Sequence, residues 1–278
     1  MQTKKLLAGF VGIVVGLWLL VIIFLILPHS YFKNLLNLNN VTPAVEEPTP
    51  TPTQLSVQLS LVPTAVPTSS SPPPSPTLAP LQLVTQSVPF TVQAPLGDWT
   101  DARQQDGCEE ASVLMAMAWV RDEEFASEVD ALDKILALSA WQQENYGSGL
   151  DTSAHDTAER LFKNYFKYES VAVHEVTSVS QIIQELYQQQ LVVTPMDGRK
   201  LGNPHFTAPG PERHMVVIIG YDPETKEFIT NDPGTQHGQN YRYDENVFFE
   251  AIRDYPTGEH EPIIKTDKMM IIVTKVNQ

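Results

Sequence analysis

Cysteine occurs once in this chain, at position 108. No intrachain disulfide can therefore form, and the paired-cysteine spacings of structural zinc sites are missing. No HExxH pattern occurs either, so neither a metal nor any other cofactor is expected. Positive charge is scarce as well: 18 Lys and Arg stand against 33 Asp and Glu, a net of −15. The imbalance is uneven. Residues 1–90 carry Lys4, Lys5 and Lys33 against Glu46 and Glu47, a net of +1 that leaves −16 on the remainder. A domain this acidic lacks the basic footprint that nucleic acid or anionic lipid head groups require, so no nucleic-acid partner is expected.

Charge of either sign is missing from residues 6–27, "LLAGFVGIVVGLWLLVIIFLIL". As a helix rising about 1.5 Å per residue, this run would cross a hydrocarbon core of about 30 Å. A cleaved signal peptide is the alternative. The run exceeds the usual apolar stretch of about 7–15 residues, and the following "PHSYF" lacks a small-x-small cleavage pattern, which favours a retained anchor. Lys4 and Lys5 precede the span and only Lys33 follows closely, so residues 1–5 are expected in the cytoplasm and everything beyond Pro28 outside it. That makes the expected localisation a single-pass cell-membrane protein with an extracytoplasmic C-terminal domain.

Residues 28–87 read as a linker. Half of the prolines, 11 of 22, fall between Pro43 and Pro80, among Ser and Thr. Such a composition buries too little apolar surface to offset the entropy of ordering, and its prolines bias it towards extended polyproline II. It predicts a semi-rigid spacer between membrane and domain.

The remaining residues, 88–278, are enough for one domain with a real core. "VPFTVQ" alternates like a short strand, and "PLGDWTDARQQDG" is rich in turn formers. "CEEASVLMAMAWV" is apolar on nearly every side, the pattern of a buried central helix, with Met115, Met117 and Trp119 as core residues. Helical spacing recurs in "FASEVDALDKILALSAWQQENYG", "DTSAHDTAERLFKNYFKY" and "VSQIIQELYQQQ". Strand patterns follow in "LVVTPMD", "HMVVIIGYD" and "EFITND"; "VFFEAIRD" reads as a short helix and "KMMIIVTKV" as a closing strand. Helices first and strands mostly later predict an α+β domain with an antiparallel sheet.

Outside the cytoplasm a lone thiol invites unwanted oxidation unless it is buried or used. Cys108 falls where a turn becomes a helix, and a helix N-terminus lowers a thiol's pKa through its dipole and free N–H groups. Glu109 and Glu110 suit the same dipole but oppose a thiolate, so a cationic partner is needed. Of the seven histidines, His29 sits at the membrane edge, His155, His174 and His260 fall in helix, loop or turn without a second motif, and His205 reads as a loop residue. His214 differs because it opens the strong strand "HMVVIIGYD". Asp232 closes the paired strand in "ITNDP", and an antiparallel hairpin brings these outer ends together. The result is a base beside an orienting carboxylate, the partner arrangement of a catalytic triad. Read singly, Cys108 also fits a small core residue, His214 a satisfied strand-end histidine and Asp232 a turn former before Pro233.

"VPFTVQ", "GCEEASVLM", "RHMVVIIGYD" and "FITNDP" together resemble the papain-fold cysteine peptidases of family 39 and their relatives, a group that includes bacteriocin leader peptidases. The similarity spans residues 88–278. It implies a papain-like fold, with a buried N-terminal helix packed on an antiparallel sheet, and a catalytic set of Cys108, His214 and Asp232. The family also uses a glutamine upstream of the cysteine to bind the oxyanion, expected six residues earlier. Ala102 stands there. Gln105 is the favoured candidate, with Gln104 close by and Gln93 the competitor if "PLGDWTDARQQD" is an insertion. Glu109-Glu110 replaces the Gly-Pro of common relatives. The function implied is a membrane-anchored cysteine peptidase acting on a peptide or protein substrate, cell-wall peptide included. The alternatives are a cell-wall peptide amidase or endopeptidase, and an inactive surface binding module of the same fold.

Overall fold

The computed structural model describes residues 81–276. The expected membrane span at 6–27 and nearly all of the linker lie outside the described residues. Among the described residues, no helix is long and apolar enough to cross a membrane.

The organising element is strand β4, His214–Asp222, buried along nearly its whole length. Its continuous Val and Ile run is the signature of a strand covered on both faces. Four partners are antiparallel to it or lie further along the same sheet: β3 (Leu191–Met196), β5 (Glu227–Asn231), β6 (Tyr241–Asp244) and β7 (Met269–Val273). With β2 (Val171–Glu175) at one edge, the order across the sheet is β2-β7-β3-β4-β5-β6. A short β1, Val84–Thr85, pairs with Tyr221 and Gly220 of β4.

Successive strand residues point to opposite faces, and each face has its own core. Met215, Val217 and Ile219 of β4, with Val193 and Ile271, pack under helix α2, Cys108–Arg121. Helix α3 (Glu128–Tyr146) adds Ile135 and Leu138 to that core. Helix α4 (Ala154–Asp156), continued by wider π-helical turns through Tyr165, adds Ala154, Leu161 and Phe162. Val216, Ile218, Val192 and Ile272 face the other way, against helix α5, Val179–Tyr187. Helix α7, Glu245–Ala251, and the single turn α6, Gly198–Leu201, complete that second layer. Every residue of α2 from Cys108 to Val120 is buried, as its all-round apolar pattern predicts. One turn precedes it: α1, Ala102–Gln105, capped by the Asp101 carboxylate accepting from the Arg103 amide.

Three local expectations change. "VPFTVQ" joins no ladder; instead Asn231 Nδ2 donates to the Val88 carbonyl and the Gln93 amide to the Pro233 carbonyl, so the segment is held at the end of β5. The domain begins before residue 88, because Val84 is buried in the second core and draws the end of the proline-rich segment into the sheet. "NYRYD", assigned no element between the strand "EFITND" and the helix "VFFEAIRD", contributes edge strand β6, which pairs with β5 from Glu227↔Asp244 to Thr230↔Tyr241.

Gly220 sits where β4 shifts register against β5, and a Cβ there would run into the Val84 carbonyl oxygen. Gly220→Ala should therefore cost about 1–3 kcal/mol, as overpacking does. Urea unfolding checks this, and an unchanged midpoint would show that β1 does not constrain the position.

Candidate active site

A cavity of about 910 Å³ opens where the N-terminus of α2 meets the ends of β4 and β5, and Cys108, His214, Gln93, Gln105 and Asp151 are on its wall. The sequence positions these groups by simple means. Gly107 is the N-cap of α2, and a Cβ there would meet the Arg103 carbonyl, so only glycine lets α1 turn this tightly into α2. Gly107 has no side chain with which to cap α2.

His214 and Asp232 meet as the hairpin predicts: His214 Nε2 lies 2.7 Å from Asp232 Oδ1, both residues being fully buried. The carboxylate has two further donors. The Gly234 amide donates to Oδ1 at 2.9 Å and the Tyr243 hydroxyl to Oδ2 at 2.6 Å. Tyr243 in turn accepts from Asn203 Nδ2 at 2.7 Å. Burial opposes ionisation of Asp232, but the facing His214 and these hydrogen bonds outweigh it and hold the carboxyl below its ordinary range. Phe206 packs edge-on against the imidazole, and a Cβ on Gly234 would crowd that ring, so the histidine is boxed in by shape as well as by charge.

Cys108 is buried, and its Sγ donates to Glu109 Oε2 at 3.1 Å; among the described residues no hydrogen bond joins it to His214. Burial, then the neighbouring Glu109 charge, push the thiol well above its ordinary pKa. The two first-turn glutamates are not solvent-facing dipole partners. Glu109 Oε1 accepts from the Tyr255 hydroxyl at 2.8 Å and from the Thr152 amide at 3.1 Å. Glu110 accepts from Gln142 Nε2 at 2.7 Å, and burial raises its carboxyl far above the usual range.

The glutamines divide. Gln105 is exposed on α1, whereas Gln93 is buried and its Nε2 donates to the carbonyls of Gln104 and Gln105 at 3.0 and 2.7 Å. Gln93 Oε1 has no partner. Gln104 is buried, with its own Oε1 also unpartnered.

Sequence reasoning passed over the far wall. Asp151, buried in the loop before α4, accepts from the His260 amide at 2.8 Å, with His260 Nδ1 3.1 Å away. Asp106, Asp151 and His260 place ligating atoms within 4.8 Å of one another, a spacing that a metal ion could use. Arg213 Nε lies 3.5 Å from the same Asp151 oxygen and already supplies positive charge there. Asp151 and His260 are over a hundred residues apart in coil, with no periodicity to mark them. His205 turns from anonymous loop residue to cavity wall, its ring 4.3 Å from that of His237.

Cys108, at the start of buried α2, and His214, at the start of β4 and bonded to Asp232, border the same cavity. The chain belongs to the Peptidase_C39 like family, whose model matches residues 85–257. It is also similar to a crystal structure from Bacillus anthracis, provisionally described as a C39-like peptidase, at 17% identity and a TM-score of 0.45, covering 71% of this chain and all of that one. Among curated proteins, none matches.

Tyr243→Phe leaves Asp232 Oδ2 without its hydroxyl donor, at a cost of about 1–3 kcal/mol. Because Asp232 is depressed, its stabilisation is present above the unfolded pKa near 3.9 and is lost as pH falls through the lower folded value. The variant should be less stable at neutral pH and unfold at a higher pH on acid titration. Coincident titration curves would show that Tyr243 does not support the carboxylate.

Proposed function

We propose that this family-39-like domain is a cysteine peptidase that cleaves peptide bonds through Cys108, His214 and Asp232. The observation that carries the reading is the 2.7 Å bond between His214 Nε2 and the buried Asp232 carboxylate. It fixes the ring and leaves Nδ1 for a proton acceptor's role in the cavity that Cys108 also borders. His214 takes the thiol proton, the sulfur attacks the carbonyl carbon, and the tetrahedral oxyanion is stabilised by backbone N–H groups at the start of α2. His214 then protonates the departing amine, and a water activated by the same ring hydrolyses the thioester and restores the thiol.

For the glutamine of the oxyanion site, burial and a fixed amide favour Gln93 over the exposed Gln105 of the sequence reading. Both N–H bonds of Gln93 are engaged by the turn carbonyls, so one must be given up to the oxyanion. The substrate is a peptide or protein. Residues 6–27 serve as the membrane anchor and the proline-rich segment as the spacer that holds the domain outside the cytoplasm. Such a tether also suits cleavage of cell-wall peptide.

Cys108→Ala should abolish labelling by a thiol-reactive peptide electrophile together with hydrolysis of denatured protein or cell-wall fragments, whichever the wild type cleaves. Turnover that survives the substitution would sink the cysteine mechanism, and binding without turnover in both forms would favour a surface binding module. Replacing Gln93 by Ala should lower kcat about 10²–10³-fold, as loss of one oxyanion donor does. Gln105→Ala should leave kcat nearly unchanged, and the reverse ranking would restore Gln105 to the role.

A further inference from the structure

Glu109 holds the hydrogen bond that the peptidase reaction assigns to His214. Its Oε2 accepts the Cys108 S–H at 3.1 Å. Its Oε1 is clamped at 2.8 Å by the Tyr255 hydroxyl, from the segment after α7, and at 3.1 Å by the Thr152 amide, from the loop before α4. Tyr255 Oη also lies 3.4 Å from the His214 carbonyl oxygen, so one hydroxyl joins the carboxylate that holds the thiol to the strand that carries the imidazole. The glutamate is 1% exposed, and among the described residues no Lys or Arg pairs with it. A buried carboxylate without a cation is costly, and two donors from separate elements fix this one against the reacting sulfur.

We propose that Glu109 is a positioning residue for the thiol: as a carboxylate it holds the Cys108 S–H away from His214, and as the neutral acid it releases the sulfur to the imidazole. The inference rests on the cysteine-peptidase reading. The proton on Glu109 comes from solvent, and the thiol proton then passes to His214, so the competent form carries neutral Glu109 beside a thiolate and an imidazolium. The groups that face Glu109 are Cys108 and Glu110 on its own helix, Asp151 before α4 and Tyr255 after α7, while Arg213 and His260 engage Asp151 from the far side. Burial, then the Asp151 charge, push the Glu109 carboxyl up to about 7, which puts the change of state near neutral pH.

The test is the pH dependence of kcat/KM and of Cys108 alkylation by iodoacetamide in the wild type, Glu109→Gln and Tyr255→Phe. Wild-type kcat/KM should fall as pH rises through about 7, and Glu109→Gln should keep its activity to higher pH. Its alkylation near neutrality should be about tenfold faster, the effect of one unit off the thiol's pKa. Tyr255→Phe removes a donor that favours the charged carboxylate, so it should move the same alkaline limb upward, and it carries the test alone if Glu109→Gln fails to fold. Unchanged pH profiles and alkylation rates, or an equal loss of activity at every pH, would overturn the proposal. Alkylation needs no turnover, so a chain that cleaves no peptide would refute the peptidase reading and still decide the role of Glu109.

Discussion

An imidazole and a carboxylate buried 2.7 Å apart can persist only if further hydrogen-bond donors stabilise the carboxylate. Much of the molecule is arranged to that end. The hairpin of β4 and β5 sets the spacing of the two residues, and the turn after β5 supplies the Gly234 amide. Edge strand β6 brings Tyr243, and the loop after α6 brings Asn203 to brace it. Glycine at 234 keeps the space beside the ring that any side chain would fill. The second core, with Phe248 and Tyr243 in it, is thus the support of the base as much as a store of buried apolar area.

The thiol side follows a different logic. Helix α2 is buried all round, so Cys108 is delivered to the cavity by a rigid element with an uncapped N-terminus. The same burial brings two glutamates into the interior, where each finds hydrogen-bond donors but no cation among the described residues. Desolvation therefore dominates their proton affinities, and the dipole preference that accounts for acids in a first turn is the smaller effect here. The two halves of the site carry opposite electrostatics: a carboxylate held ionised beside His214 and carboxyls pushed towards neutrality beside Cys108.

Strong periodic segments of the sequence translated directly into structure. The all-round apolar run of α2 and the Val and Ile run of β4 have one stable use each in a domain of this size, so their burial was legible. The weak strands β2 and β6 were not, because edge strands are short and half exposed and owe their conformation to the partner ladder. "VPFTVQ" failed as a strand because its bonds run to the Asn231 side chain and the Pro233 carbonyl at the end of β5 rather than to a partner ladder.

By itself the sequence determined which residue types were available for chemistry: a single sulfur, a histidine at the head of a strand and an aspartate at the end of the next. Hairpin pairing is local, so it also determined that the last two would meet. Only the tertiary structure decided which acceptor the thiol faces, which glutamine is buried beside it, and that Tyr255, Asp151 and His260 belong to the same cavity. The bonds from Thr152 and Tyr255 to Glu109 and from His260 to Asp151 join segments more than forty residues apart whose meeting depends on how two cores pack against one sheet, and no local pattern in the chain encodes that distance.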